Sequence, residues 1–149
     1  MRTLDEDPRV FYGFSKYKPD LVVINLGTND YGAGKEPTAE DFAVNYMVLL
    51  QNIRAHYPEV PIFCVIPHSA NNLLMAAVSR LHFHLDNFQK KDELLHVYLS
   101  VPMPELITYD HDTGADYHPN NQGHRKIAMQ LIPRISSIMN WPLESKNIE

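Results

Sequence analysis

Residues 21–26 (LVVINL) form a short apolar, β-branched run, the pattern of a parallel strand covered on both faces by helices. Gly27 ends it. Pro37-Thr38, with Asp41 three residues on, marks a helix start in which Asp stands where a full capping box has Glu or Gln. Phe42, Tyr46, Leu49, Ile53 and Tyr57 then recur at helical spacing up to Pro58. Ile62, Phe63, Cys64, Val65 and Ile66 predict a second strand, closed by Pro67. Leu74, Val78, Leu81, Leu85 and Phe88 lie on one stripe of a helix expected over residues 71–90. A third strand is expected over residues 95–101, where Leu95, Val97, Leu99 and Val101 alternate with His96, Tyr98 and Ser100. That alternation predicts one poorly covered face near a sheet edge. After a loop over residues 102–123, a last helix carries Ile127, Leu131, Ile135 and Ile138, with Pro133 as a kink point.

Strand, helix, strand, helix, strand, long loop, helix is an α/β order, which gives a parallel sheet with right-handed crossovers. Ligands on such sheets bind at the carboxyl ends of the strands. The turn at residues 27–30 and the loop 102–123 both emerge there, so they can face one crevice. Residues 1–20, polar and aromatic with Pro8 and Pro19, read as an arm. Residues 21–141 read as the folded unit, and 142–149 as a tail. Three strands are few for an open sheet, and the apolar strand at 21–26 would stand at an edge. An uncharged edge invites pairing with another chain. The expectation is that strands lie upstream, or that a partner, such as a second copy, covers that edge.

Composition narrows the function classes. With 44% hydrophobic and 21% charged residues, the 149-residue chain suits one globular domain. A net charge of −5 argues against non-specific nucleic-acid binding, which needs clustered positive charge. The longest basic cluster is Lys90-Lys91, and no apolar run is long enough for a membrane span. The single cysteine, Cys64, lies within an apolar strand and reads as a small buried hydrophobe.

Candidate chemistry sits in two motifs, Gly27-Thr28-Asn29-Asp30 and Asp116-Tyr117-His118-Pro119. A loop imidazole beside a carboxylate suits general-base work, because the carboxylate fixes the tautomer and stabilises the imidazolium. Asn29, at a strand end, could aim its amide at a developing oxyanion. Each motif also has a plain structural reading: Asn-Asp after a strand is common turn chemistry, and His118 is one of eight histidines. His111, Asp112, Asp116, His118 and His124 are dense enough to suit zinc or manganese as an alternative.

PDLVVINLGTND resembles the third conserved block of the SGNH (GDSL-type) serine hydrolases, and GADYHPNNQGHRKIA resembles their last block. The likeness is strongest to the second carbohydrate-esterase family, in the phrase spanning residues 14–30, in residues 116–119, and in LIPRI at 131–135 followed by Trp141. The resemblance implies a three-layer, flavodoxin-like α/β fold, of which about three C-terminal strands are present. It implies acyl-ester hydrolysis on an acetylated saccharide without a cofactor or metal. By position it makes His118 the general base, Asp116 its carboxylate partner, Asn29 an oxyanion-hole donor and Gly27 the residue that shapes the turn. Tyr117 and Asp30 would line the substrate site. Members are often secreted or periplasmic. The family's nucleophile sits in a Gly-Asp-Ser block after an earlier strand. None of Ser15, Ser69, Ser79, Ser100, Ser136, Ser137 and Ser145 follows Gly-Asp. The expectation is therefore that the nucleophile lies upstream and that these residues alone are close to inactive. A non-catalytic domain binding a carbohydrate or a partner is the other reading.

Overall fold

The computed structural model describes residues 13–32, 34–91, 94–100 and 106–143. Three strands, β1 (Val22–Asn25), β2 (Ile62–Val65) and β3 (Val97–Leu99), form one parallel sheet in the order β1-β2-β3. Val22 pairs with Ile62, and Ile62 pairs in turn with Val97. The α/β reading and the parallel sheet both hold.

Helices α1 (Ala39–His56) and α2 (Asn72–Gln89) cover one face of the sheet. Phe42, Tyr46, Met47 and Leu50 of α1 meet Leu74, Ala77, Leu81 and Leu85 of α2 over Ile24, Ile62 and Cys64. Leu50 and Leu74 are almost fully buried, so truncating either to Ala would cost about 2–5 kcal/mol. The opposite face is covered by α4 (Asn121–Met139), whose Leu131, Ile135 and Ile138 pack on Phe63 and Val65 with Tyr98, Leu21 and Leu106. This makes three layers, with β2 buried along its whole length. α4 runs through Pro133.

The ends of α1 are where the sequence signals said, whereas α4 begins at Asn121, inside the stretch expected to be loop. The Thr38 hydroxyl accepts the Asp41 N–H at 3.1 Å and donates to the Asp41 carboxylate at 2.6 Å, satisfying one of the orphan donors of the first turn. At the other end of α1 the Arg54 guanidinium donates to the carbonyls of Tyr57, Pro58 and Val60 through Nη1 and of Leu95 through Nη2. One fork of donors thus closes the turn into β2 and holds the approach to β3.

Two expectations are corrected. β1 is not covered on both faces: Val23 is 50% exposed, and so is Leu26 just beyond the strand. The reason is position, since β1 is the edge strand and α4 is centred on β2. The third strand is shorter than residues 95–101, because Leu94 and His96 take positive φ (51° and 58°) and no regular strand can begin before Val97. Its supposedly bare face is occupied as well. Tyr98 joins the cluster under α4, and buried Ser100 accepts the Ile66 N–H at 2.8 Å. Val101 and most of the N-terminal arm lie outside the described residues.

Candidate active site

The first motif follows β1 directly. Gly27 is buried at φ +119°, a conformation that side-chain-bearing residues rarely adopt, and a Cβ there would stand 2.8 Å from Leu74 Cδ1. That turn feeds a short 3-10 segment, Asn29–Tyr31, in which Asn29 and Asp30 are exposed and Tyr31 is buried. Tyr31 anchors the segment: its ring meets Phe42 edge-on at 5.4 Å, and its N–H donates to the Thr28 carbonyl. Burial first, then the charges of Asp30 and Asp41, hold the Tyr31 hydroxyl above its usual range. Asn71, the N-cap of α2, donates from its side-chain amide to the Tyr31 carbonyl at 2.9 Å. It was not singled out in the sequence, although an Asn ahead of an apolar stripe is a cap signal.

The loop after β2 joins the same end of the sheet. Ser69 Oγ lies 3.5 Å from Thr28 Oγ1. Neighbouring His68 is held below the ordinary imidazole range, by burial first and then by the charge of His124. His124 belongs to the first turn of α4, so α4 brings its N-terminal end to the carboxyl ends of β1 and β2. Neither His68 nor Ser69 carried a sequence signal.

The second motif sits just before α4. A one-turn helix α3 (Tyr109–Asp112) is followed by the 3-10 turn Ala115–Tyr117 and then His118. Thr113 and Pro119 bridge in antiparallel fashion, and the Gly114 N–H donates to the His118 carbonyl at 2.8 Å. Within this closed loop Asp116 and Tyr117 both have positive φ, 51° and 60°, a strain of about 1–3 kcal/mol each for residues other than glycine. The turn leaves Asp116, Tyr117 and His118 exposed, Tyr117 at 75%. Tyr109 crosses Tyr117 edge-on at 6.0 Å, forming a small exposed aromatic pair beside His118.

Asn120 closes the loop onto α4. Its Oδ1 accepts the N–H groups of Gln122 and Gly123, and its Nδ2 donates to the carbonyls of His111 and Thr113. Asp112, read from the sequence as a candidate metal ligand, instead points inward and is 0% exposed. Its Oδ2 accepts from Lys126 Nζ at 2.6 Å and from the Thr108 N–H at 2.7 Å. These bonds, that from Lys126 foremost, hold its carboxyl below the usual carboxylate range. Among the described residues no three His, Cys, Asp or Glu side chains converge to hold a metal ion.

The arrangement thus sets an exposed amide (Asn29) after β1 and an exposed imidazole (His118) before α4. Asp116 and His118 share one loop, but no hydrogen bond between their side chains forms among the described residues. Among the described serine hydroxyls with a partner, Ser69 lies at this end of the sheet against Thr28, whereas Ser79 bonds the Met75 carbonyl, Ser100 the Ile66 N–H and Ser136 the Trp141 carbonyl. Cys64 is no substitute nucleophile, since burial pushes its thiol up to about 11.

The sequence profile of the GDSL-like Lipase/Acylhydrolase family matches residues 2–126. The chain is 29% identical over 133 residues to the cellulase/esterase CelE of Acetivibrio thermocellus, covering 89% of this chain and 16% of that protein. It is 24% identical over 135 residues to an acetylxylan esterase/glucomannan deacetylase of Cellvibrio japonicus, of which it covers 33%. Its fold superposes with a TM-score of 0.76 on a family two carbohydrate esterase from Clostridium thermocellum in complex with cellohexaose, at 29% identity over 91% of this chain and 41% of that one. A family two carbohydrate esterase from Cellvibrio japonicus shares the fold, with a TM-score of 0.73 at 21% identity over 91% of this chain and 38% of that one. The chain therefore spans well under half the length of each of these relatives.

Proposed function

We propose, for a chain that belongs to the GDSL-like lipase/acylhydrolase family, that it carries the oxyanion-binding and general-base part of a carbohydrate O-acetyl esterase site. One observation carries this reading. The Asn29 turn leaves the carboxyl end of β1, and the His118 loop leads into the helix whose first turn reaches the same end of the sheet through His124 and His68.

In that site a serine outside these 149 residues attacks the acetyl carbonyl while His118 takes its hydroxyl proton. The carbonyl oxygen becomes an oxyanion, and the Asn29 amide donates to it, with Gly27 holding the turn that aims the amide. Collapse of the tetrahedral species expels the sugar hydroxyl, which recovers a proton from His118. Water then attacks the acyl-serine, giving its proton to His118; when the second tetrahedral species collapses, the serine oxygen takes that proton back and acetate leaves. Asp116 orients the imidazole and stabilises its charged form. That role requires its carboxylate to swing toward His118 when the site is complete. Tyr117 and Asp30 line the sugar side, and the chemistry needs neither cofactor nor metal. The likeness to esterases named for acetylxylan and glucomannan supports an acetylated saccharide as substrate.

The exposed Tyr109–Tyr117 pair favours a second reading, in which the same crevice binds a saccharide without cleaving it. Calorimetry with acetylated and deacetylated xylo-oligosaccharides, run beside an acetate-release assay, separates the two. The 149 residues should release no acetate above background. His118-dependent release by them would contradict an external nucleophile. In the protein extended by the residues encoded upstream, release identifies the esterase, and binding without release identifies the binder.

A further inference from the structure

We propose that the ion pair between buried Asp112 and half-buried Lys126 is the device that positions the His118 loop, making both positioning residues of the site described above. The inference rests on that reading for its purpose, but not for its geometry.

The loop is strained where it matters. Two consecutive non-glycine residues, Asp116 and Tyr117, hold positive φ immediately before His118. Such backbone persists only where its surroundings over-determine it. The surroundings here are a stem: the Gly114 N–H bonds the His118 carbonyl and Thr113 bridges Pro119, and below them the contacts run through Asp112. One carboxylate oxygen, Oδ2, takes the Thr108 N–H at the start of the segment and the Lys126 ammonium on the second turn of α4. The Asp112 carbonyl accepts the Asn120 N–H at 2.8 Å. Gly123 packs so closely on that carbonyl that a Cβ would stand 2.3 Å away. Residues 108, 112, 120, 123 and 126 thus close a ring around the strained turn, tying it to α4.

A charge pair is an odd choice for stability alone. Asp112 is taken wholly out of water while Lys126 stays 36% exposed; burying such a carboxylate costs much of what the attraction returns, and apolar residues of similar volume often do as well or better. Asp112 is also incompletely satisfied, since its Oδ1 is buried without a hydrogen-bond partner among the described residues. What such a pair does better than an apolar contact is fix one geometry. Lys126 meets the same oxygen that takes the Thr108 N–H, so the pair ties α4 to the start of the loop segment.

The readout is the backbone of Asp116 and Tyr117 in solution. Positive φ brings a residue's own amide hydrogen and Hα close, giving strong intraresidue cross-relaxation peaks in NMR spectra. In Lys126→Met these two peaks should weaken roughly fourfold, as expected from inverse-sixth-power distance dependence when φ turns negative. Peaks from β1, β2 and α1 should stay in place, and Lys126→Arg should restore the strong pair. Because Lys126→Met leaves a buried charge unpaired, the double variant Asp112→Leu/Lys126→Met is measured beside it. It should stay folded with the same weakened peaks. Unchanged Asp116 and Tyr117 peaks in a folded variant would overturn the proposal. So would collapse of the whole spectrum in both variants, which would make the pair a support of the fold. None of this depends on hydrolysis, so failure of the esterase reading would be seen separately in the acetate assay.

Discussion

The Asn71 side-chain amide donates to the Tyr31 carbonyl at 2.9 Å while its Oδ1 accepts the Leu74 N–H at 2.9 Å. One side chain therefore starts α2 and holds the turn that presents Asn29. Asn71→Ala should lose both roles and cost about 0.5–2 kcal/mol, the usual range for a lost N-cap. Asn71→Asp keeps the cap and loses the donor. It should unfold close to wild type in denaturant, yet show altered amide shifts at residues 28–31. Equal stability of all three proteins would contradict the assignment.

Gly27→Ala tests whether the turn needs glycine. The Leu74 methyl at 2.8 Å is the end of a flexible side chain and can move, so the φ of +119° decides the outcome. Destabilisation of roughly 1–3 kcal/mol is expected in chemical denaturation. A neutral substitution would show that the backbone at Gly27 is free to relax.

Cys64 should be inert in the native protein. It is buried beside Tyr46, and its thiol is pushed up to about 11. Labelling with a thiol-specific disulfide reagent near neutral pH should follow global unfolding. Rapid labelling of the folded chain would contradict the packing of β2 under α1.

His68 gives a pH dependence with a defined sign. Its folded value lies below the ordinary 6.5, so between the two values the unfolded chain binds the proton more readily. Stability should therefore fall as pH drops below 6.5 and through the lowered folded value, with no contribution from His68 above that window. His68→Gln should flatten this part of the profile in denaturant midpoints taken at about pH 7.5 and about pH 5.5. An unchanged slope would assign the effect to another group.

Much of this architecture was legible in the chain. The Thr38–Asp41 start of α1, the stripe from Leu74 to Leu85 and the two motifs stand where local signals put them, because caps and helical periodicity are short-range. Three features were not legible, each for a physical reason. Exposure of Val23 depends on what lies beside an edge strand, which the strand's own pattern does not encode. The positive φ values at Leu94 and Tyr117 run against residue preference, so the local sequence does not announce them. The Asp112–Lys126 pair joins a loop to a helix across fourteen positions, and from sequence Asp112 looked like one more acid in a His-rich segment.

The central claim is that His118 serves as the base of an acetyl esterase whose nucleophile lies outside these residues. The most direct measurement is acetate release from an O-acetylated xylo-oligosaccharide, using the protein extended by the residues encoded upstream of Met1. Release should be steady, should fall by roughly a thousandfold or more in His118→Ala, and should be at background for the 149 residues alone. Release that survives His118→Ala, or an equal rate from the 149 residues by themselves, would contradict the account.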